Sequence, residues 1–304
     1  MADFDLIVVG AGPAGLAATA YALQSQLHVA LVAPALGGKT SYPFELRGLP
    51  AVDGAWGGQL IQQLKAYVEA KLKSHFTQEV TQIARLAGDH FQLTLADGMI
   101  LGTHALIFCT GAQAQRLHVP GELEFAGHGV SYSATSHAQF FRNRPVAVVG
   151  GERALTAALK LAAIASKVYY VQTSELPASA ARLAEPVLRH AKVYLFRNWQ
   201  VQRIVGDGYV TGVDVVNAAG ESQQLGVQGV FIELGLLPSS GLVRNLLPLE
   251  PSGHIAVDQR CASALPGFFA AGDVTNVYAE QVPVAIGEGI KATLSAWAYL
   301  ATRR

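Results

Sequence analysis

Along the chain, short apolar, β-branched runs alternate with alanine- and leucine-rich stretches, and glycines mark the changes from one to the other. Phe4 to Val9 predicts a buried strand that ends on a glycine turn. Pro13 to Ser25 predicts a helix and His28 to Val32 a second buried strand, completing a βαβ unit. The same order returns from Pro145: strand Val146 to Val149, glycines 150 and 151, a helix to about Ala165, then strand Lys167 to Val171. A repeat at this distance is too long for a solenoid, so the pattern predicts an α/β fold with two Rossmann-like dinucleotide-binding domains.

Between the two units the pattern predicts a helix over Leu60 to Lys73 and strands near Val80 to Leu86, Phe91 to Leu95 and Ala105 to Cys109. After the second unit come strands near Val201 to Val205, Tyr209 to Val216, Gly229 to Ile232 and Phe268 to Ala271. The last helix aligns Ile286, Ile290, Leu294, Trp297 and Ala301 on one face. No low-complexity linker marks a boundary. Crossings near Leu117 and Leu242 give a discontinuous first domain, 1–117 and 243–304, with the second, 118–242, inserted into it.

Composition narrows the function classes. The 304 residues are 51% apolar and 14% charged, enough for two sizeable cores. Twenty-two basic residues balance 22 acidic ones, so global charge points to neither nucleic acid nor an anionic membrane. No apolar run approaches the roughly 18 residues of a membrane span. The N-terminus lacks the basic region of a secretory signal, and the expectation is a cytoplasmic protein. The two cysteines, Cys109 and Cys261, give neither a disulfide framework nor a metal site.

The chemistry concentrates in three segments. Gly10-Ala11-Gly12-Pro13-Ala14-Gly15 follows a strand and opens a helix. Its glycines permit the tight turn, backbone approach to a pyrophosphate and close helix–strand packing, and the helix start presents N–H groups to the anion. Ala105 to Ala112 ends a strand on Thr110-Gly111, and Gly267 to Asp273 ends one on Gly272-Asp273. Together with Gln281 and Gly287-Glu288-Gly289, these segments resemble the FAD-binding signatures of thioredoxin reductases and the flavoprotein component of alkyl hydroperoxide reductase, over nearly the whole chain.

That resemblance implies FAD, with Asp273 on the ribityl chain and Gln281 and Val282 at the isoalloxazine edge. It also implies Gly37-Gly38 beside the pyrophosphate, Lys39 where the family usually has glutamine, and Val80 meeting the adenine through its backbone. Glu280 replaces a family cation and Gly48 a family asparagine. The acid that often holds the ribose is absent, Ala33-Pro34 standing in its place. The family is commonly homodimeric, which is carried over as an expectation.

Two family features are altered. The enzymes resembled pass electrons from NADPH through flavin to a Cys-x-x-Cys disulfide. Here the matching segment reads Ser133-Ala134-Thr135-Ser136-His137, with serine at both thiol positions and histidine for the neighbouring acid. Serine forms no disulfide and ionises too weakly to attack one. His137 is a candidate proton relay to reduced flavin. The second glycine loop reads Gly150-Gly151-Glu152-Arg153-Ala154, one residue short of Gly-x-Gly-x-x-Ala. The cations that hold an NADP 2′-phosphate in relatives are replaced by Gln172-Thr173-Ser174. This argues against NADPH as a tight donor and leaves NADH without an acid at the strand end.

From Arg142 to Arg203 ten basic residues face three acidic ones, a bias that suits an acidic carrier such as ferredoxin or flavodoxin. The expectation is an FAD-dependent oxidoreductase of thioredoxin-reductase type without the dithiol, exchanging electrons with such a carrier or a small molecule. Two alternatives stay open: an NAD(P)H-dependent ferredoxin reductase-like enzyme, and a non-catalytic flavin-binding sensor or regulatory protein. A second planar ligand against Tyr42 or Tyr132 is a further option.

Overall fold

The computed structural model describes residues 2–41, 44–48 and 58–303. The chain forms two compact units, one of Met1–Ser41, Trp56–Gln113 and Leu237–Arg304, the other of Tyr42–Ala55 and Ala114–Leu236. The first unit begins with β1 (Ala2–Val9), α1 (Pro13–Gln24) and β2 (Val29–Val32), then α2 (Gly58–Lys71), β3 (His75–Phe76), β4 (Val80–Leu86), β5 (His90–Leu95) and β6 (Ile100–Phe108). Strand β7 (Ala112–Ala114) leads into the second unit. There follow β8 (Val130–Ser131), α3 (Ala134–His137), β9 (Pro145–Gly150), α4 (Glu152–Ala162), β10 (Lys167–Gln172), α5 (Ala181–Leu188), β11 (Val193–Arg197), β12 (Trp199–Asp207), β13 (Tyr209–Asn217), β14 (Ser222–Gly226) and β15 (Gly229–Glu233). Strand β16 (Leu236–Pro238) pairs with β7, and β17 (Phe268–Ala270) and α6 (Val282–Ala301) complete the first unit.

Both units carry the same parallel order. In the first, β3-β2-β1-β6 run parallel and β17 adds to the second half of β6, while β5 and β4 join antiparallel on its first half. In the second, β11-β10-β9-β15-β8 are all parallel, and β12-β13-β14 form a separate antiparallel sheet. The β-branched runs Leu6–Val9 and Val146–Val149 are the central strands and are at most 4% exposed, as strands covered on both faces require.

Two features differ from the sequence reading. The crossings fall at 113/114 and 236/237, inside the paired strands β7 and β16, where Leu117 and Leu242 were expected to mark them. Residues 44–48 also belong to the second unit, because Phe44 and Leu46 are buried in its core beside Phe141 and Val146. So short an excursion leaves no periodicity to detect.

The last helix buries a face that overlaps the apolar stripe only at Ile286 and, in part, Ile290. Leu294 and Trp297 are 48% and 50% exposed, while Ala285, Ile286, Gly289, Ala292, Thr293, Ala296 and Leu300 are buried. The reason lies in α1, whose Ala14, Gly15, Ala17, Ala18 and Ala22 offer only small side chains. Two small-residue faces bring backbones into contact, and the Thr293 hydroxyl donates to the Ala18 carbonyl at 3.1 Å.

Candidate functional site

In the first unit the glycine turn is dictated by close approach. Gly10 has φ +96°, and a Cβ there would lie 2.4 Å from the Cys109 carbonyl oxygen. A Cβ on Gly15 would lie 1.8 Å from the Gly10 carbonyl oxygen. Gly12 is different: nothing lies within 4 Å of its absent Cβ. Pro13 opens α1, no side chain caps the helix and its first turn holds no acid. The N–H groups of a twelve-residue helix thus begin beside open space, with the dipole's positive end toward it.

Three segments surround this turn. The Gly37 N–H donates to the Ala11 carbonyl at 2.8 Å, and a Cβ on Gly38 would lie 2.9 Å from Gly12 Cα. The Thr110 hydroxyl donates to the Ser239 carbonyl at 2.8 Å, and Gly111 takes φ +69° with open space at its Cβ. Gly272 takes φ +78°, and its Cβ would sit 3.1 Å from that of Ala14. Lys39 Nζ lies 2.5 Å from Asp273 Oδ2, joining the first of these segments to the third. The Gly272 N–H donates at 2.9 Å to the carboxylate of Glu288. Burial raises the pKa of Glu288, opposed by that N–H and by Lys291 and reinforced by Asp273.

The remaining predicted residues sit on other elements of the same unit. Ala33 is buried after β2, its N–H bonded to the Phe76 carbonyl, and Pro34 follows it. Val80 starts β4 in the apolar cluster that also holds Val9 and Val32. Gln281 is the extended, exposed residue before α6, and Val282 is its half-buried first residue. Open space over Gly12, the donors of the first turn of α1 and the Asp273 carboxylate just past β17 suit the diphosphate and polyol of a flavin dinucleotide. Glu288 escaped notice as a structural partner, although its place between Gly287 and Gly289 was the available signal.

In the second unit Ser133 and Ser136, the serines that the sequence reading set against the family's thiols, meet at the start of a helix. Ser133 is the N-cap of α3: its hydroxyl accepts from the Ser136 N–H at 3.3 Å and donates to the Ser136 hydroxyl at 3.2 Å. His137 stacks on Phe44, with ring centroids 4.1 Å apart and planes within 7°, and its Nδ1 lies 2.8 Å from the Ser131 hydroxyl. The Tyr132 hydroxyl donates at 2.9 Å to Glu122, a carboxylate only 1% exposed that also accepts the Leu117 and His118 N–H groups. Burial and that carboxylate push the Tyr132 pKa upward. Phe44 and Glu122 were not singled out from the sequence. Tyr42 lies outside the described residues.

The second glycine pair keeps its turn. A Cβ on Gly150 would meet the Glu233 carbonyl oxygen at 2.4 Å, and the Tyr170 hydroxyl donates to the Gly151 carbonyl at 3.0 Å. Ser174 Oγ lies 2.5 Å from where a Gly151 Cβ would be. The basic residues of this unit are spread over several elements. Arg203 pairs with Asp214, Arg189 with Glu185, and Lys192 donates to the Ala165 carbonyl. Burial raises the thiol pKa of both cysteines, Cys261 to about 11. Among the described residues no group of side chains has metal-site geometry, and no helix is long and apolar enough to cross a membrane.

Comparison with known proteins gives a consistent result. The model of the pyridine nucleotide-disulphide oxidoreductases matches residues 4–289. The F component of alkyl hydroperoxide reductase from Xanthomonas campestris pv. phaseoli is 32% identical over 98% of this chain and 57% of its own length. A protein named NADH dehydrogenase from Bacillus subtilis (strain 168) is also 32% identical, over 98% of this chain and 58% of its own length. The chain thus spans less than three fifths of these curated relatives. The structure of thioredoxin reductase from Streptococcus pyogenes MGAS5005 superposes with a TM-score of 0.88 at 30% identity, covering 99% of both chains. With its two parallel sheets, its glycine turns and a thioredoxin-reductase-like fold, this chain belongs to the pyridine nucleotide-disulphide oxidoreductase family.

Proposed function

We propose that this chain is an FAD-dependent oxidoreductase that works without a redox dithiol, moving electrons between its flavin and an external partner. The observation that carries the reading is the Ser133–Ser136 pair at the family's thiol positions, where the Ser133 hydroxyl caps a helix and donates to that of Ser136. The two cysteines are buried in the other unit, with thiolates disfavoured by desolvation. When bound, FAD would supply a ring that accepts hydride or single electrons without a protein thiol. Gly12 and the first turn of α1 would hold the diphosphate. Asp273 would take the ribityl hydroxyls, with Gln281 and Val282 at the ring edge. Thr110, Gly111, Ala33, Pro34 and Val80 would line the rest of the cofactor site, and His137 is the candidate proton carrier.

The partner we favour is an acidic one-electron carrier, drawn by the stretch from Arg142 to Arg203, where ten basic residues stand against three acidic ones. A second reading keeps a nicotinamide donor. It is supported by the intact turn at Gly150 and Gly151, and by the relative named NADH dehydrogenase. Without a cation at Gln172-Thr173-Ser174, that donor would be NADH ahead of NADPH.

Anaerobic titration with dithionite tests the central claim. Reduction should end after one two-electron equivalent per flavin; uptake of a second equivalent would refute the dithiol-free reading. Rapid mixing with reduced ferredoxin, reduced flavodoxin, NADH and NADPH then assigns the donor by loss of flavin absorbance. Failure of all four to reduce the flavin would refute the enzymatic reading.

A further inference from the structure

Negative charge accumulates beside the glycine turn of the first unit. Asp273 follows the turn at Gly272, its side chain only 14% exposed. Glu288 is half-buried one hydrogen bond away, and Asp273 is among the groups that disfavour its ionisation. A flavin dinucleotide would bring a diphosphate to Gly12, next to both. Charges of one sign in a partly desolvated site repel strongly unless a cation stands among them. Among the described residues Lys39 contacts Asp273, at 2.5 Å, while Lys291 acts on Glu288. Its position is fixed from behind, because Gly37 is hydrogen-bonded to Ala11 and the Gly38 backbone packs closely on Gly12.

We propose that Lys39 is the counter-cation of the cofactor site: it neutralises Asp273 so that the carboxylate can serve a polyol hydroxyl without repelling the adjoining diphosphate. Lys39 acts through Asp273 and is a positioning residue. Its ligand class is a diphosphate-bearing flavin, and the inference rests on the proposed FAD binding. Lys39 is half exposed, with a side-chain exposure of 50%, so its replacement leaves the core untouched. The charge balance is also local to this chain, since Glu280 adds an acid a few residues farther along where the resemblance expects a cation.

The test is a set of FAD dissociation constants, measured by flavin fluorescence on the full chain stripped of flavin. Wild type must bind FAD; if it does not, the cofactor reading fails and Lys39 is not at issue. Given binding, Lys39→Gln should weaken it about tenfold, the size expected of one short charge pair in a partly buried site. Lys39→Arg should stay within about threefold of wild type, because it keeps the charge. In an Asp273→Asn background, Lys39→Gln should cost less than about threefold, because the carboxylate it balances is gone. An unchanged or tightened affinity in Lys39→Gln would overturn the proposal. So would an equal loss with and without the Asp273 carboxylate, which would mean that Lys39 acts on the cofactor directly.

Discussion

The contact between α1 and α6 makes a prediction whose size follows from the backbone. Gly289 is buried, and a Cβ there would lie 2.1 Å from the Ala14 carbonyl oxygen and 2.9 Å from its carbonyl carbon. An ordinary carbon–oxygen contact needs about 1.4 Å more than the shorter of these, given heavy-atom contact distances near 3.5 Å. The obstacle is helix backbone, so no rotamer change relieves it. Gly289→Ala must push α6 away from α1 along a face of alanines, loosening Ala292 and Ala296 as well. Overpacking of this kind costs about 1–3 kcal/mol and more where backbone must move, set against about 1 kcal/mol gained from replacing glycine in a helix. Gly287 is the internal control. It lies on the same helix, exposed, with nothing within 4 Å of its absent Cβ. Gly287→Ala should therefore stabilise by up to about 1 kcal/mol. Thermal unfolding of the two variants side by side should show Gly289→Ala below wild type and Gly287→Ala at or above it. The gain from replacing glycine is common to both variants, so at about 2–4 °C per kcal/mol for a unit of this size the overpacking cost should separate the two melting temperatures by about 2–12 °C. Because Ala14 belongs to the first turn of α1, Gly289→Ala should also weaken FAD. Equal stability of the two variants would refute the claim that these backbones touch.

Other expectations follow from single contacts. Gly12→Ala should fold and melt like wild type, since its backbone is ordinary (φ −70°) and its Cβ meets nothing, yet it should lose FAD affinity because the methyl enters the space reserved for the diphosphate. Calorimetric titration with FAD and a thermal melt of the same sample separate the two effects. Glu288 has a pKa raised by burial, so its ionised form destabilises the folded chain. The cost is absent below the unfolded carboxylate range, grows as pH rises through it and levels off above the folded pKa. Glu288→Gln keeps an acceptor for the Gly272 N–H, so in denaturant titrations of the flavin-free chain it should be more stable than wild type at neutral pH, with the gain vanishing near pH ~4. Ser133→Ala removes the cap of α3 and should cost about 1 kcal/mol in urea unfolding. It should leave the dithionite equivalents unchanged, and a change in that stoichiometry would contradict the dithiol-free reading.

The sequence by itself determined both parallel sheets. Central strands such as Leu6–Val9 and Val146–Val149 are covered on two faces and therefore read as unbroken apolar runs, with glycine where the chain must turn sharply into a helix. It also determined that serines, Ser133 and Ser136, stand where the resemblance expects thiols, a matter of residue identity. The family resemblance supplied Asp273, but neither it nor periodicity showed that Lys39, 234 residues away, would contact it. Tertiary structure alone decided that pair, the seating of Phe44 on His137 and the burial of Glu122 under Tyr132. It also decided which face of α6 goes inward. Hydrophobicity favoured Leu294 and Trp297, but α1 presents alanine and glycine, and only a small-residue face can close on it. A strand's burial is written in its own composition, whereas a contact between distant segments depends on the shape each finds in the other.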